Sequence, residues 1–231
     1  SAYRGPVADI TGSFQLGPDS GRVLIKTSRA GLAAKAGHDL VLEMTRWSAR
    51  VEIPGEESGG LTAASVTAQL DLGSLTVREG TGGARPLTDS DRRDIVATMR
   101  GILGDGTASY SSSRILRFGA GGAIEGTLTL NGKSQPARLQ LTEPKPGTYR
   151  GTTAVTQSAF GIKPYSGFFG ALKLRDEITV EIEADLNQAA TPLPILGPPA
   201  TCAFFGLPSD GAYLPRPAGT EGPSHHCRRR S

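Results

Sequence analysis

The sequence is short of cysteine, of aromatic residues and of any charge imbalance. Only two of its 231 residues are cysteines, Cys202 and Cys227, and both lie near the C-terminal end. No disulfide can link residues 1–187 internally, so that region must be held by burial and backbone pairing. Aromatic residues make up 6% of the chain and histidines number three. No apolar run approaches the roughly 18 residues of a membrane-spanning helix, so no integral helical span is expected. The sequence has no G-x-S-x-G elbow, no H-E-x-x-H and no C-x-x-C. The usual signatures of serine hydrolases, zinc proteases and dithiol redox proteins are therefore missing.

Charge is nearly balanced. Lys and Arg number 25 against 22 Asp and Glu, and residues 1–187 hold 21 and 20 of them. The small basic excess gathers at the end, in Arg228, Arg229 and Arg230. A nucleic-acid surface needs a clustered basic face, and the body of the chain offers none, so no nucleic-acid partner is expected. Arg outnumbers Lys 19 to 6 and Ala and Gly are abundant, a bias that a GC-rich bacterial genome produces. The sequence begins at Ser1 with no apolar leader. On that ground a cytoplasmic location is expected ahead of a periplasmic or secreted one.

The 31 glycines and 16 prolines imply many turns joining short elements. Those elements read as strands. Leu40, Leu42 and Met44 alternate with polar residues, and Trp47, Ala49, Val51 and Ile53 continue on the opposite parity. Such a switch near Thr45-Arg46 marks a bulge or bend, because a one-residue slip exchanges the two faces. Val66, Ala68, Leu70 and Leu72 alternate next, then Ile124, Leu128 and Leu130, then Ala137, Leu139 and Leu141. The clearest run is Ile178, Val180, Ile182, Ala184 and Leu186 against Thr179, Glu181, Glu183 and Asp185. One face dry and one face wet, repeated many times, describes a curved antiparallel sheet with one covered side.

Asn131-Gly132 is a strong hairpin signal, since both central residues of a type I′ turn need positive φ. The same residues open Gly132-Lys133-Ser134, which imitates the end of a phosphate-binding loop. That loop needs glycine at 127, where Thr127 stands, and the hairpin reading wins. One segment departs from the strand pattern. Between Thr88 and Leu103, Ile95, Met99, Ile102 and Leu103 recur at helical spacing, Thr88 and Asp91 fit a capping pair, and Gly104 fits a stop. This is an amphipathic helix set into a β domain, with an apolar stripe suited to the open end of a barrel.

His38 is the one histidine of residues 1–187 and sits beside Asp39. Neighbours on a strand point to opposite faces, so the pair is read as structural, with His38 a hydrogen-bonded plug at a strand start. No catalytic residue, cofactor or metal is expected. Tyr165, Phe168 and Phe169 either line a pocket mouth or pack a corner. From Gln188 the composition changes: eight of the 16 prolines lie in residues 188–231, with no sustained periodicity. The expected organisation is a β domain over 1–187 and a flexible Pro-rich tail over 188–231. His225, His226, Cys227 and the distant Cys202 are spaced too irregularly for a zinc site.

Several segments, taken together and in order, resemble the YceI-like family of lipocalin-like, polyisoprenoid-binding barrels. They are Ala36-Gly37-His38-Asp39-Leu40, the stretch from Leu87 to Ile95, and that from Gly126 to Gly132. The run from Gln157 to Tyr165 and that from Asp176 to Glu181 complete the set, across residues 22–186. The resemblance implies an eight-stranded antiparallel barrel with one inserted helix, binding an isoprenoid or other long-chain lipid inside it without enzymatic chemistry. Many members of the family are exported. The residues expected to line such a pocket are Leu40, Leu42, Val66, Met99, Ile102, Leu128, Phe160, Phe168 and Val180. Alternation alone leaves open whether the interior is hollow or filled. A filled barrel would be an interaction module, and a barrel-scaffold enzyme is the third reading. Oligomeric state is left open, a homodimer included.

Overall fold

The computed structural model describes residues 10–118 and 121–189. The Pro-rich region past residue 189, with Cys202, His225, His226 and Cys227, lies outside the described residues, and so does the expectation of a flexible tail.

The elements in chain order are β1 (Gly12–Leu16), β2 (Gly21–Thr27), β3 (Arg29–Ala30), β4 (His38–Met44), β5 (Trp47–Ile53), β6 (Ser65–Asp71) and β7 (Leu75–Gly82). Helix α1 (Asp89–Leu103) follows. The second half holds β8 (Thr107–Phe118), β9 (Gly121–Leu130), β10 (Lys133–Lys145), β11 (Thr148–Thr156), β12 (Ser166–Gly167), β13 (Leu172–Leu174) and β14 (Glu177–Asp185). Eleven strands form one curled antiparallel sheet in the order β1-β5-β6-β8-β9-β10-β11-β14-β2-β4-β7, and β12-β13-β3 form a second, small sheet.

Eleven strands correct the expected eight. The excess comes from corners. Three long stretches, β1–β2, β4–β5 and β6–β7, each bend midway and are broken in two by the bend. The expected switch at Thr45-Arg46 is one of these corners, between β4 and β5. Its partner is Leu72–Ser74, between β6 and β7. The corners are stitched together: Arg46 N–H donates to Ser74 Oγ at 2.9 Å, Thr45 Oγ1 to the Ser74 carbonyl at 2.8 Å and Asp71 N–H to the Arg46 carbonyl at 3.1 Å. Ser74 is buried because its hydroxyl and carbonyl are both used there. At the third corner Gly17 N–H donates to Ser20 Oγ at 3.0 Å. Because β4 runs on into β5 and β6 into β7, the two halves of the strand order are joined through these corners, and the inner face of the curled sheet surrounds one apolar interior.

Local chemistry accounts for the turns. Asn131 and Gly132 have φ of 52° and 70°, as a type I′ hairpin between β9 and β10 requires. Helix α1 begins with a complete capping box, Asp91 N–H donating to Thr88 Oγ1 at 3.2 Å and Thr88 N–H to Asp91 Oδ2 at 2.8 Å. It ends at Gly104, whose φ is 67°. The helix is tied to the sheet by Arg92, which donates to the carbonyls of Val77 and Arg78, both at 3.0 Å. Strand β7 is an end strand, so those carbonyls have no further strand to pair with, and Arg92 occupies them. Among the described residues no helix is long and apolar enough to cross a membrane.

Candidate functional site

The inner face of the sheet surrounds a cavity of about 940 Å³. The inward residues of β14, Ile178, Val180, Ile182 and Ala184, line it, and so does Leu186 just beyond the strand. So do Leu40, Leu42 and Met44 of β4 and Leu128 and Leu130 of β9. The interior is hollow: Ile25, Val51, Ala68, Leu128 and Val180 face inward and are still only partly buried. Side chains that would interlock in a filled barrel here face open space.

Seven of the nine expected pocket residues line this cavity: Leu40, Leu42, Val66, Met99, Ile102, Leu128 and Val180. Phe160 does not. It is 3% exposed and packs with Ala108, Leu130, Val155 and Ile162 in a compact cluster beside the cavity. The short 3-10 turn Gln157–Phe160 directs it there, and Asn131 Nδ2 donates to its carbonyl at 3.1 Å. Alternation could not place Phe160, because it lies on no strand. The side chain of Phe168 lies outside the described ones.

Helix α1 closes one end, where Ile95, Met99, Ile102 and Leu103 turn toward the cavity. Ile102 stays 39% exposed and Tyr165, also a lining residue, 36% exposed, which places an opening at this end. Of the three aromatics left open by the sequence, Tyr165 thus stands at the mouth. The helix start is braced by His38, whose Nε2 lies 2.8 Å from the Arg85 carbonyl, and by Arg85, which pairs with Asp91 at 2.7 and 2.9 Å. The Arg85 hydrogen bonds, followed by those of Thr88, hold the Asp91 carboxyl well below the usual carboxylate range. Asp39 faces the other way and accepts from Arg29 N–H at 2.7 Å, fixing β3. The two neighbours thus do separate structural work, as opposite strand faces require. Replacing His38 by Gln should cost about 1–2 kcal/mol through the lost hydrogen bond, read as a lower midpoint in urea with unchanged slope. A loss well beyond that would mean the ring does more than tie down Arg85.

The far end is polar, and sequence reasoning missed it. Arg117 pairs with Glu143 at 3.0 Å, and Glu143 also accepts from Gly147 N–H at 3.1 Å. The Tyr149 hydroxyl joins them, and burial, then the Glu143 charge, pushes its phenol up to about 12. Tyr110, whose hydroxyl donates to the Ile124 carbonyl at 3.2 Å, is likewise pushed up to about 12, by burial and then by Glu125. Both phenols stay neutral donors at any ordinary pH. Arg117 and Glu143 sit on different hairpins, so no spacing in the sequence could pair them.

Two buried polar atoms among the described residues have no partner, Thr27 Oγ1 and Trp47 Nε1, and both residues line the cavity. An unpaired buried hydroxyl costs about 1–3 kcal/mol. Thr27→Val keeps the shape and removes that cost, so it should raise stability by about 1 kcal/mol, a gain in Tm of roughly 2–4 °C. A calorimetric Tm that falls instead would show that the hydroxyl has an unseen partner.

The comparisons agree with this architecture. The YceI-like domain matches residues 14–186, well over half of the chain. The chain belongs to the YceI-like family. Among solved structures, BcnA of Burkholderia cenocepacia superposes with a TM-score of 0.50 at 16% identity, over 71% of this chain and 94% of that one. A polyisoprenoid-binding domain from Saccharophagus degradans, implicated in plant cell wall breakdown, gives 0.44 at 10% identity, over 76% and 99%. A Campylobacter jejuni YceI protein gives 0.37 at 11% identity, over 62% and 83%. No curated relative matches by sequence. At 16% identity the likeness to BcnA concerns the fold, and for a YceI-like chain the question of function rests on its own cavity.

Proposed function

We propose that this YceI-like protein binds, stores or carries an isoprenoid or another long-chain apolar lipid in the cavity, without chemistry on the guest. The observation that carries the reading is the cavity itself: about 940 Å³, walled almost throughout by aliphatic side chains. That volume lies toward the top of the roughly 300–1,000 Å³ range of small-molecule sites. Each methylene moved from water into such a space contributes about 0.8 kcal/mol, so a prenyl or acyl chain needs no charged contact to bind tightly. The polar groups at the two ends are engaged with one another: His38 with the Arg85 carbonyl, Arg85 with Asp91, and Arg117 with Glu143. They suit the ends of an amphiphile better than they suit a reaction.

The test is an organic extract of purified protein examined by mass spectrometry, together with titration by a fluorescent prenyl or fatty-acyl probe. The probe should bind and be displaced by a prenyl quinone. Met99→Trp, which places a large ring in the cavity from the helix side, should weaken probe binding about tenfold while the far-UV spectrum stays that of the native sheet. A lipid-free extract, together with no probe binding at saturating concentration, would overturn the reading.

A further inference from the structure

Two large apolar side chains project fully into water: Leu32 is 101% exposed and Phe169 112%. They belong to one loop cluster. Ala33 N–H donates to the Ala171 carbonyl at 2.9 Å, and β13, which follows that loop, pairs Lys173 with Ala30 of β3. The cluster borders the cavity opening, because Ala36, Tyr165 and Leu172 from the same two loops line the cavity. Phe169 is held at φ 54° and ψ 32°, a left-handed conformation that a bulky residue rarely adopts. Backbone strain that serves to present an apolar ring to solvent indicates a use for the ring.

Exposed cations gather at this end. Lys35, Lys163, Lys173 and Arg175 are all exposed on the same segments. Lys133 reaches the turn at Gly161. None of the five forms an ion pair among the described residues, a state that Arg22 and Lys145 share on the sheet, where Lys26, Arg46, Arg78, Arg114, Arg138 and Arg150 are paired. The acidic groups at the same end are in part occupied. Asp39 takes the Arg29 N–H, and Asp176 accepts from the backbone N–H and hydroxyl of Ser158, which leaves Glu177 on these loops and Asp89 and Asp94 on helix α1 as the exposed carboxylates against the five cations. Two apolar tips on segments that also carry these cations complement an anionic lipid surface: the tips enter the acyl boundary and the cations meet the phosphates.

We propose that this end of the barrel docks on anionic bilayers through Leu32 and Phe169, setting the cavity opening against the membrane. The inference goes beyond the cavity's cargo and is tested apart from it. Cosedimentation of the full chain with phosphatidylglycerol-containing vesicles should show binding that weakens with salt and is absent on pure phosphatidylcholine. The double variant Leu32→Ser, Phe169→Gly should lose vesicle affinity at least about tenfold. Glycine accepts the left-handed backbone, so that variant should fold at least as well as the parent. Lys35→Gln with Lys173→Gln should lower affinity for anionic vesicles and flatten its salt dependence. Probe binding in vesicle-free solution should be unchanged in both variants, so a failed cavity and a failed docking surface give different results. Absence of binding to anionic vesicles overturns the proposal. So does a self-associating wild type whose dimer the double variant dissolves, since that would make the patch an interface between copies.

Discussion

Val180→Asp should abolish binding of an apolar probe and lower stability by about 3 kcal/mol at neutral pH. Val180 lies mid-strand in β14, paired with Ile25 on one side and Thr153 on the other. It lines the cavity and packs against both core clusters. A carboxylate there has aliphatic neighbours and no cation, and burial disfavours the charged form. The pH dependence has a definite sign. The new carboxyl's folded pKa would be raised above its unfolded value of about 3.9. The neutral acid is then tolerated at low pH, and the penalty grows as pH rises above that value until the folded pKa is passed. Urea melts at pH 4 and pH 8 should therefore differ more for the variant than for the parent. Val180→Ala is the control, since it enlarges the cavity without charge and should keep probe binding. A Val180→Asp protein that binds the probe as tightly as the parent would remove the cavity from the account.

Gly126→Val should cost about 3 kcal/mol. Gly126 of β9 faces Ser112 of β8, beside the register shift between Ser112 and Arg114. A Cβ at 126 would collide with the Ser111 carbonyl and lie 2.6 Å from the Tyr110 hydroxyl. The carbonyl is backbone and cannot step aside, and Tyr110 is held by its bond to the Ile124 carbonyl. Gly151 provides the contrast. The atoms nearest a Cβ there belong to the Leu139 side chain, at 2.9 Å, which can rotate, so Gly151→Ala should cost much less. Thermal melts of the two variants in parallel decide the matter, and equal losses would show that the close backbone approach at Gly126 is not what sets its cost.

The helix boundaries, the Asn131-Gly132 hairpin and the parity switch at Thr45-Arg46 were legible because each is fixed by residues within a few positions of one another. The other two corners also fall on turn-forming segments. Gly17-Pro18-Asp19-Ser20 and Asp71-Leu72-Gly73-Ser74 both carry turn chemistry, and in the second the Asp71 side chain accepts from Gly73 N–H at 2.9 Å. Together with the bend at Thr45-Arg46, these two corners divide eight strands into eleven.

The candidate site divides along the same line. Residues on alternating strands, such as Leu128 and Val180, could be assigned to the inner face because a period of two fixes a face. Phe160 could not, since a 3-10 turn carries no such period, and it fills a corner beside the cavity. Pairing of Arg117 with Glu143 across hairpins, and the gathering of Leu32, Phe169 and their cations at one end, depend on how the sheet curls. By itself, then, the sequence determined an antiparallel β domain, its apolar inner face, its capped helix and its likeness to the YceI-like family, because short-range periodicity and turn chemistry carry that information. Only the tertiary structure decided that the interior is hollow and which groups stand at its ends. Cavity volume is the difference between the space the curled sheet encloses and the volume of the side chains that enter it, and the first of those quantities is set by long-range strand pairing.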